Sequence, residues 1–432
     1  METHKKRSFF YRYSTTFRIF AKNSTTSIME DLMYYVWQQR LFQSIETLDN
    51  TKIEVIHPGL RNLDAGPDFF NAKVKIDGML WAGNVEMHCK SSDWYRHHHQ
   101  GDPAYENVIL HVVMQADAII RHPNGEPIKT VVMKVPAEVL GRYQAITQNN
   151  PYSFSAIHCA ARLPQVPSII LHDWQTSLLT QRMLNKVARV KDLTEGQNAS
   201  WQEAFYVILT RSLGTGVNSD SCERLARSLP YSFIQKHLDN PIQVRALLLG
   251  QAGLIPNTDS RLLQEYNFLR AKFQLSPMPS SAWKLARLRP YASPENRLNA
   301  LAALLCSHPN LLSEVMEAND ITSLQKIFTL PRQLGEMTVR SILINAVIPI
   351  SIAYAQWQGD DLRIEKAIEM LETLPSESNR YMDYWNKVGI PQRNAFDSQA
   401  LLHLYKEYCE TKKCMQCRIG CWLVKHKETN NE

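Results

Sequence analysis

The sequence lacks any apolar run approaching the ~20 residues that a membrane-spanning helix requires. Its densest apolar stretch, Ser341–Tyr354, is shorter than that and contains Pro349. We therefore predict a buried helix at this stretch and exclude a membrane protein.

The chain also lacks the regular cysteine spacing of a small secreted disulfide scaffold. It has eight cysteines in 432 residues, and half of them lie within the last two dozen. This usage is typical of a reduced, cytoplasmic protein. We expect small buried thiols at the four dispersed positions, Cys89, Cys159, Cys222 and Cys306.

Acidic residues are nearly absent from residues 1–28, which are basic and rich in Ser and Thr. A transit peptide has this composition, and so does an extension that precedes a mis-called start. We therefore predict that residues 1–28 are disordered or mis-called and that the folded protein begins at Met29.

The remaining composition is that of a soluble globular protein, with 44% hydrophobic and 21% charged residues. The length predicts two or three domains. A net charge of +6 allows a polyanionic partner but does not require one. The sequence does not define an oligomeric state.

Residues 29–150 are predicted to form a mixed α/β domain. Glu30–Phe42 has helical spacing, Lys52–Ile56 alternates like a strand, and Asn107–Gln115 is a β-branched run. Asp77–Gly78 separates two further β-like runs, which is a strong hairpin signal. The order of these elements predicts a mixed sheet flanked by helices.

Residues 165–395 are predicted to form a helical domain, and residues 396–425 a C-terminal helical hairpin that carries a cysteine cluster. No fixed repeat period is present, so a solenoid is not expected. Helical periodicity occurs at residues 169–189, 201–213, 222–229, 241–252, 260–274, 294–305, 323–329, 339–356, 362–374 and 397–408.

The predicted β-hairpin contains the ionisable residues that are suited to catalysis. Glu86, His88 and Lys90 alternate along one strand and therefore project from one face. Asp68, at the start of the partner strand, adds a second carboxylate. Two carboxylates that hold Mg²⁺ (or Mn²⁺) beside a cation are suited to phosphodiester hydrolysis.

The order Pro67-Asp68 followed by Glu86-x-His88 resembles the motif of the restriction-endonuclease-like superfamily, Pro-Asp and then Asp/Glu-x-Lys. The resemblance implies a restriction-endonuclease-like mixed sheet. This sequence departs from the motif at His88, which replaces the lysine, and Lys90 is the next residue on the same face. The identity of the catalytic cation is therefore open.

The strand register constrains this site. If Asp77–Gly78 is a two-residue turn, Ile76 pairs with Met79 and Asp68 falls opposite Met87 on the wrong face. A three-residue loop or a bulge would shift Asp68 opposite Glu86. We predict a bulge at Gly83–Asn84.

Histidines near the hairpin are expected to be structural. His97-His98-His99 follows a short helix, and an exposed loop is the expected setting because nothing in the sequence fixes its geometry. His111 lies in an apolar strand and is expected to be a core residue.

The terminal cysteines are spaced C-x4-C-x2-C-x3-C, and their thiolates could converge on Zn²⁺ or on an iron–sulfur cluster. The alternative is a set of reduced thiols in a helical hairpin. Some nucleases of the superfamily above carry an iron–sulfur cluster, so the resemblance keeps that option open beside zinc. The predicted ligands are Cys409, Cys414, Cys417 and Cys421.

The whole chain from Met29 onward resembles a bacterial family catalogued as domain of unknown function 2851, found mainly in Bacteroidetes. The segments that carry the resemblance are GPDFFNAKVKIDG, GNVEMHCKSSDW, DPAYENVILHVV, LLLGQAGL, LARLRPYASPENRL and DSQALLHLYKEYC with the cysteines that follow. It implies a cytoplasmic bacterial protein and supplies no activity. The family pattern is less regular at Cys421, which leaves a three-cysteine site open.

Three functions are considered. One is a metal-dependent DNA or RNA nuclease, and another is an inactive nuclease fold that binds nucleic acid or protein and has a structural metal site. The third is a scaffold whose helical part and cysteine site mediate interactions. A basic group could contact backbone phosphates, although a solvated face is the simpler interpretation. Its residues are Lys284, Arg287, Arg289 and Arg297.

Overall fold

The computed structural model describes residues 29–47, 51–62, 65–147, 157–197, 199–214, 216–256, 258–285, 288, 292–318, 320–330 and 333–426. Residues 1–28, expected to be disordered or mis-called, lie outside this range. The described chain divides into two units. Unit 1 contains the residues up to Trp174 and those from Leu404 onward, and unit 2 is Gln175–His403.

Unit 1 contains a seven-stranded mixed sheet, as the sequence predicts for its first part. The strand order is β1-β7-β6-β5-β4-β2, and the short β3 also pairs with β4. β5, β6 and β7 are parallel neighbours, and the other pairs are antiparallel. The strands are β1 Ser44–Thr47, β2 Ile53–His57, β3 Leu60–Arg61, β4 Phe69–Ile76, β5 Met79–Lys90, β6 Val108–Gln115 and β7 Thr130–Lys134.

The predicted β4–β5 hairpin is confirmed. Ile76 pairs with Met79, and the two intervening residues, Asp77 and Gly78, have positive φ angles of 49° and 83°. Two successive residues with positive φ match the twist of the flanking strands, so the turn closes the hairpin without splaying it.

Helices pack on the sheet of unit 1. Residues 29–38 form α1, whose Leu32 and Val36 are fully buried. The Tyr34 ring of α1 lies edge-on against Phe69 at the start of β4. α2 (Asp93–Arg96) follows β5, and α3 (Ala137–Thr147) follows β7. β6 is buried along most of its length, as its apolar run predicts.

Unit 2 is helical, as predicted, and no strand occurs among its described residues. α4, which begins in unit 1, is Ser168–Lys191. The helices that follow are α5 Trp201–Leu213, α6 Ser219–Ser228, α7 Tyr231–Gln235, α8 Pro241–Gln251, α9 Ser260–Phe273, α10 Pro294–Ser307, α11 Leu311–Glu317, α12 Ile321–Phe328, α13 Glu336–Ile342, α14 Ile348–Gln358, α15 Asp361–Thr373, α16 Arg380–Lys387 and α17 Ala395–His403.

The apolar stretch Ser341–Tyr354 lies within one continuous helical run, Glu336–Gln358, as predicted for a buried helix. This run is long and apolar enough to cross a membrane, but about two thirds of its most apolar window is buried inside unit 2. The burial identifies a core helix.

The C-terminal hairpin belongs to unit 1. A wider helical turn, Leu404–Cys409, continues from α17, and after a short 3₁₀ turn α18 spans Arg418–Lys425. Arg142 of α3 donates a 2.7 Å hydrogen bond to the Val424 carbonyl. The Tyr35 hydroxyl of α1 donates to the Cys421 carbonyl at 2.9 Å. The end of the chain thus completes the unit that the sheet begins.

Candidate metal centre

A one-residue bulge in the hairpin decides how its carboxylates meet. Ala72 pairs with Gly83, but Phe69 pairs with Val85, so Phe70 and Asn71 together stand opposite Asn84. Asn71 has a φ of 54°, the left-handed conformation of a bulge residue. The shift that the sequence requires is therefore present at the predicted position along the hairpin. Its extra residue lies in β4, whereas the prediction placed the bulge in β5.

Gly83 has a different role from the predicted one. A Cβ at this position would lie 2.4 Å from the Ile109 side chain of β6. β6 also has one extra residue here, because Asn84 pairs with Val108 and Val85 with Leu110. Glycine therefore permits the close approach of β5 and β6.

Asp68 and Glu86 now face each other across the two strands. The Asp68 backbone N–H donates to Glu86 Oε2 at 3.1 Å, and the Met87 backbone N–H donates to Asp68 Oδ2 at 3.0 Å. Each carboxylate is thus held by the backbone of the opposite strand. Glu86 is only 5% exposed.

Arg61 of β3 is a cation that the motif did not reveal. Its Nη1 lies 2.9 Å from Asp68 Oδ1 and also donates to the Asp68 carbonyl at 3.0 Å. The guanidinium carbon lies 3.6 Å from the centre of the Tyr34 ring, which fixes its orientation. Arg61 lies seven residues before Asp68 in sequence, and the pairing of β3 with β4 places its side chain beside that carboxylate.

Four imidazoles lie beside the carboxylate pair, those of His88, His97, His99 and His111. His88 Nδ1 lies 2.9 Å from His111 Nε2, and His88 Nε2 lies 3.1 Å from His97 Nδ1. His88, His97 and His99 each offer one ring nitrogen, and these three atoms all lie within 4.8 Å of one another. Such a group of nitrogens suits a divalent transition metal.

Glu86 belongs to the same group. Its Oε1 lies 3.2 Å from His99 Nε2 and 3.5 Å from His88 Nε2. His99 Nε2 is buried and makes no hydrogen bond of standard geometry. Ligand atoms bound at ~2.1 Å to one ion, at right angles, are about 3 Å apart. Glu86 and His99 therefore have the spacing of neighbouring ligands.

Tautomer assignment is consistent with this arrangement. If His88 carries its proton on Nδ1 and donates it to His111, its Nε2 lone pair faces Glu86 and His97. Hydrogen bonding of the second ring nitrogen is the usual way in which a protein orients a histidine ligand. His111 is fully buried, as predicted for a core histidine, and acts as this outer partner.

Burial sets the protonation states. It lowers the pKa of His88 to about 2 and that of His111 to about 3, with neighbouring imidazoles adding to the effect. Burial, followed by the nearby Asp68 carboxylate, raises the pKa of Glu86 to about 9. At neutral pH the two imidazoles are therefore neutral. Without a cation Glu86 keeps its proton, and a cation that binds there displaces it.

Glu30 of α1 is a third carboxylate beside this pair. Burial, and then the charges of Asp68 and Asp93, raise its pKa to about 7. Its Oε1 is buried and has no hydrogen-bond partner within the described residues. Glu30 therefore adds an unsatisfied oxygen to the acidic side of the site.

Lys90 does not join the cluster. Its side chain is exposed, and the described part of the chain contains no ion pair between its ammonium group and Asp68 or Glu86. The structure thus brings Asp68, Glu86 and His88 together and leaves Lys90 outside.

The prediction for His97–His99 was wrong in part. His97 and His98 are exposed, as predicted, and His98 has a φ of 62°. His99 is half-buried, and the rings of His97 and His99 lie 4.9 and 5.3 Å from the His88 ring, measured between centroids. The left-handed residue between them lets both rings turn toward the same strand. The run of three consecutive histidines is the only sequence signal that points to this group of imidazoles.

One member of the predicted basic group is not at the surface. Arg297 is buried, and its Nη1 donates to the Thr338 hydroxyl at 2.8 Å, so it cannot contact phosphates at the surface. Lys284 is exposed. Arg287 and Arg289 lie outside the described residues.

Comparison with known proteins identifies a family but no activity. The family model described as "Protein of unknown function (DUF2851)" matches residues 30–380. No curated protein matches the chain. No solved structure matches it either. The matched segment covers most of the chain, including the β4–β5 hairpin and the histidines beside it. The chain therefore belongs to the DUF2851 family.

Proposed function

We propose that the protein is a divalent-metal-dependent nuclease of the PD-(D/E)XK type, acting on DNA or RNA. The observation that carries the proposal is the position of Asp68 opposite Glu86, with His88 and His99 within 3.5 Å of the Glu86 carboxylate. A cation held there would activate water and stabilise the charge that develops on a phosphodiester.

The donor set fits such a cation. Asp68 and Glu86 supply carboxylate oxygens, and His88, His97 and His99 supply nitrogens. Mg²⁺ prefers oxygen ligands, whereas imidazole suits transition metals. Mn²⁺ is therefore the better of the two metals predicted from the sequence.

Arg61 takes the role that the motif gives to lysine. Its guanidinium is held beside Asp68 and is partly exposed, so it can donate to a phosphate oxygen as well. His88 cannot replace that cation, because burial keeps its ring neutral.

The proposed setting is the cytoplasm. All eight cysteines are free thiols, which suits a reducing compartment.

A cleavage assay tests the proposal. The full chain is incubated with supercoiled plasmid, single-stranded DNA and structured RNA in Mg²⁺, Mn²⁺ or Zn²⁺. We expect metal-dependent cleavage that falls at least a hundredfold in Glu86→Gln. The matched control is Glu106→Gln, an exposed carboxylate in the loop before β6, which should cleave like wild type.

A binding module without catalysis is the second candidate. The observation that favours it is the replacement of the motif lysine by His88, while Lys90 is exposed and forms no ion pair with Asp68 or Glu86 within the described residues. Fluorescence anisotropy with the same nucleic acids distinguishes the two. Binding without cleavage in every metal decides for this module, and neither binding nor cleavage rejects both.

A further inference from the structure

Unit 2 contains a cavity that has no part in the metal centre of unit 1. Its volume is about 220 Å³, and residues of α11, α12, α14 and α15 line it. An apolar cavity of ~150 Å³ in a protein core can bind benzene, so this one has room for a ligand of roughly ten non-hydrogen atoms. Its size is therefore suited to a small molecule.

The buried wall of this cavity is apolar. Val315 of α11, Leu324 of α12 and Ala367 of α15 line it, and each is at most 3% exposed. Met316 and Met370, both half-buried, also line it. Methionine side chains are flexible and polarizable, so they adapt to ligands of different shape. The apolar part of a ligand would therefore be stabilised against this wall by its removal from water.

The mouth of the cavity lies at the corner between α14 and α15. Gly359 ends α14 with a φ of 73°, and the Asp360 side chain caps α15 by accepting the Arg363 backbone N–H at 3.1 Å. Leu362 and Lys366, in the first two turns of α15, line the cavity and are exposed. A ligand that enters from solvent would therefore meet these two side chains first.

The polar groups that line the cavity have an excess of positive charge. Arg363 Nε lies 3.7 Å from Asp360 Oδ2, so these two charges compensate each other. Lys366 forms no ion pair within the described residues. The Ser351 hydroxyl of α14 likewise has no hydrogen-bond partner in the described part of the chain. An ammonium group and a hydroxyl that lack partners are matched by an anionic acceptor.

We propose that this cavity binds a small amphipathic anion, with an apolar chain or ring of about eight carbon atoms and one carboxylate. The apolar part packs against Val315, Leu324 and Ala367, and the carboxylate binds Lys366 at the mouth. Lys366 sets the preference for negative charge, because Asp360 already compensates Arg363. The site lies within unit 2, so the proposal does not depend on nuclease activity.

The test titrates the full chain with octanoate, octanol and octylammonium, which share the apolar chain and differ in charge. Ligand-observed NMR gives the Kd of each. We expect octanoate to bind with a Kd about fivefold lower than that of octylammonium, the range for a partly exposed charge pair. Lys366→Glu should reverse this preference. The matched control is Lys387→Glu, an exposed position on α16 away from the cavity lining, which should bind all three ligands like wild type.

A second variant tests the apolar wall. Ala367→Phe places a ring in the cavity, and we expect the Kd of octanoate to rise at least tenfold. Ala271→Phe, an exposed position on α9, should bind octanoate like wild type. Circular dichroism shows whether each variant folds. If Ala367→Phe does not fold, the charge reversal at the exposed Lys366 decides.

Four outcomes overturn the proposal. They are no binding of octanoate at millimolar concentration, equal Kd values for octanoate and octylammonium, an unchanged octanoate Kd in Lys366→Glu, and an unchanged one in folded Ala367→Phe. Octanol that binds as tightly as octanoate would also reject the anionic head group, because the site would then take uncharged apolar molecules equally well.

Discussion

The carboxylate of Glu86 accepts a hydrogen bond from the backbone N–H of Asp68, and the carboxylate of Asp68 accepts one from the backbone N–H next to Glu86. This reciprocal pair exists because β4 has one residue more than β5 between the two positions. Without the bulge that accommodates this residue, regular pairing would place Asp68 opposite Met87. The site therefore depends on Asn71, which contributes its backbone.

Asn71→Val should weaken metal binding while the hairpin persists. A β-branched residue disfavours the positive φ that the bulge requires, and regular pairing without the bulge places Asp68 opposite Met87, so we expect the Kd for Mn²⁺ to rise at least tenfold by titration calorimetry. Asn71→Gly is the control, because glycine adopts the positive φ freely. Its affinity should match wild type and its stability should stay within about 1 kcal/mol. Wild-type affinity in Asn71→Val would contradict this account.

His99→Ala should weaken Mn²⁺ binding about 10- to 100-fold, the usual effect of losing a ligand or its support. The reason is the 3.2 Å contact of its Nε2 with Glu86 Oε1. His98→Asn provides the comparison, since His98 is exposed and Asn tolerates its left-handed backbone. Electron paramagnetic resonance of bound Mn²⁺ measures both. Equal affinity in the two variants would exclude His99 from the site.

Arg61→Ala should reduce the cleavage rate by about 10²–10³, the range for loss of one charge-stabilising group in an active site. Arg61→Lys should recover part of this rate, since it keeps the charge without the planar fork that fits carboxylate and phosphate. Lys90→Ala tests the alternative cation and should cleave normally. The reverse result, with Lys90 essential and Arg61 dispensable, would restore the role that the motif gives to lysine.

Much of unit 1 follows from local sequence signals. The Asp-Gly turn, the alternation of Met79–Lys90 and the apolar run of β6 each predict the element that is present. Arg61, Glu30 and His111 join the site only through tertiary packing. β3 is only two residues long, so it gives no recognisable strand pattern. The distance in sequence between the hairpin and α1 or β6 does not predict that they contact it. No periodicity encodes such contacts.

The cysteines illustrate the same limit. Four of them occur close together near the C-terminus, and their spacing suggests a closed set. Within the described residues, however, no three of the thiol sulfurs lie within 4.8 Å of one another.

Unit 2 offers a test of stability that does not involve metal. The carboxylate of Glu223 contacts Arg189 at 3.1 Å, Arg211 at 2.6 Å and Arg227 at 2.8 Å, which joins α4, α5 and α6. Burial alone would raise the pKa of Glu223, but these three guanidinium groups outweigh it and lower the pKa. We expect Glu223→Gln to destabilise the protein by about 1–3 kcal/mol at pH 7, as for buried hydrogen bonds to charged groups.

The pH dependence of this effect has a defined sign. A carboxyl whose pKa is lowered by folding stabilises the protein fully above its unfolded pKa, near 4.5, and loses that contribution as pH falls through the folded value. Urea midpoints of wild type and Glu223→Gln should therefore differ most at pH 7 and approach each other as the pH falls below 4.5. Glu195→Gln, an exposed site in unit 2, should follow wild type at both. A constant difference at both pH values would contradict the assignment.

Unit 1 is built from two stretches of chain that are synthesised far apart in time. The sheet and its carboxylates leave the ribosome first, but Tyr35, Arg142 and Arg162 find their carbonyl partners only in α18, which is translated after unit 2. Domains usually fold as units in the order of synthesis, but here unit 1 can be completed only after unit 2 has been translated. A nascent chain that stops before α18 therefore exposes an incomplete unit 1.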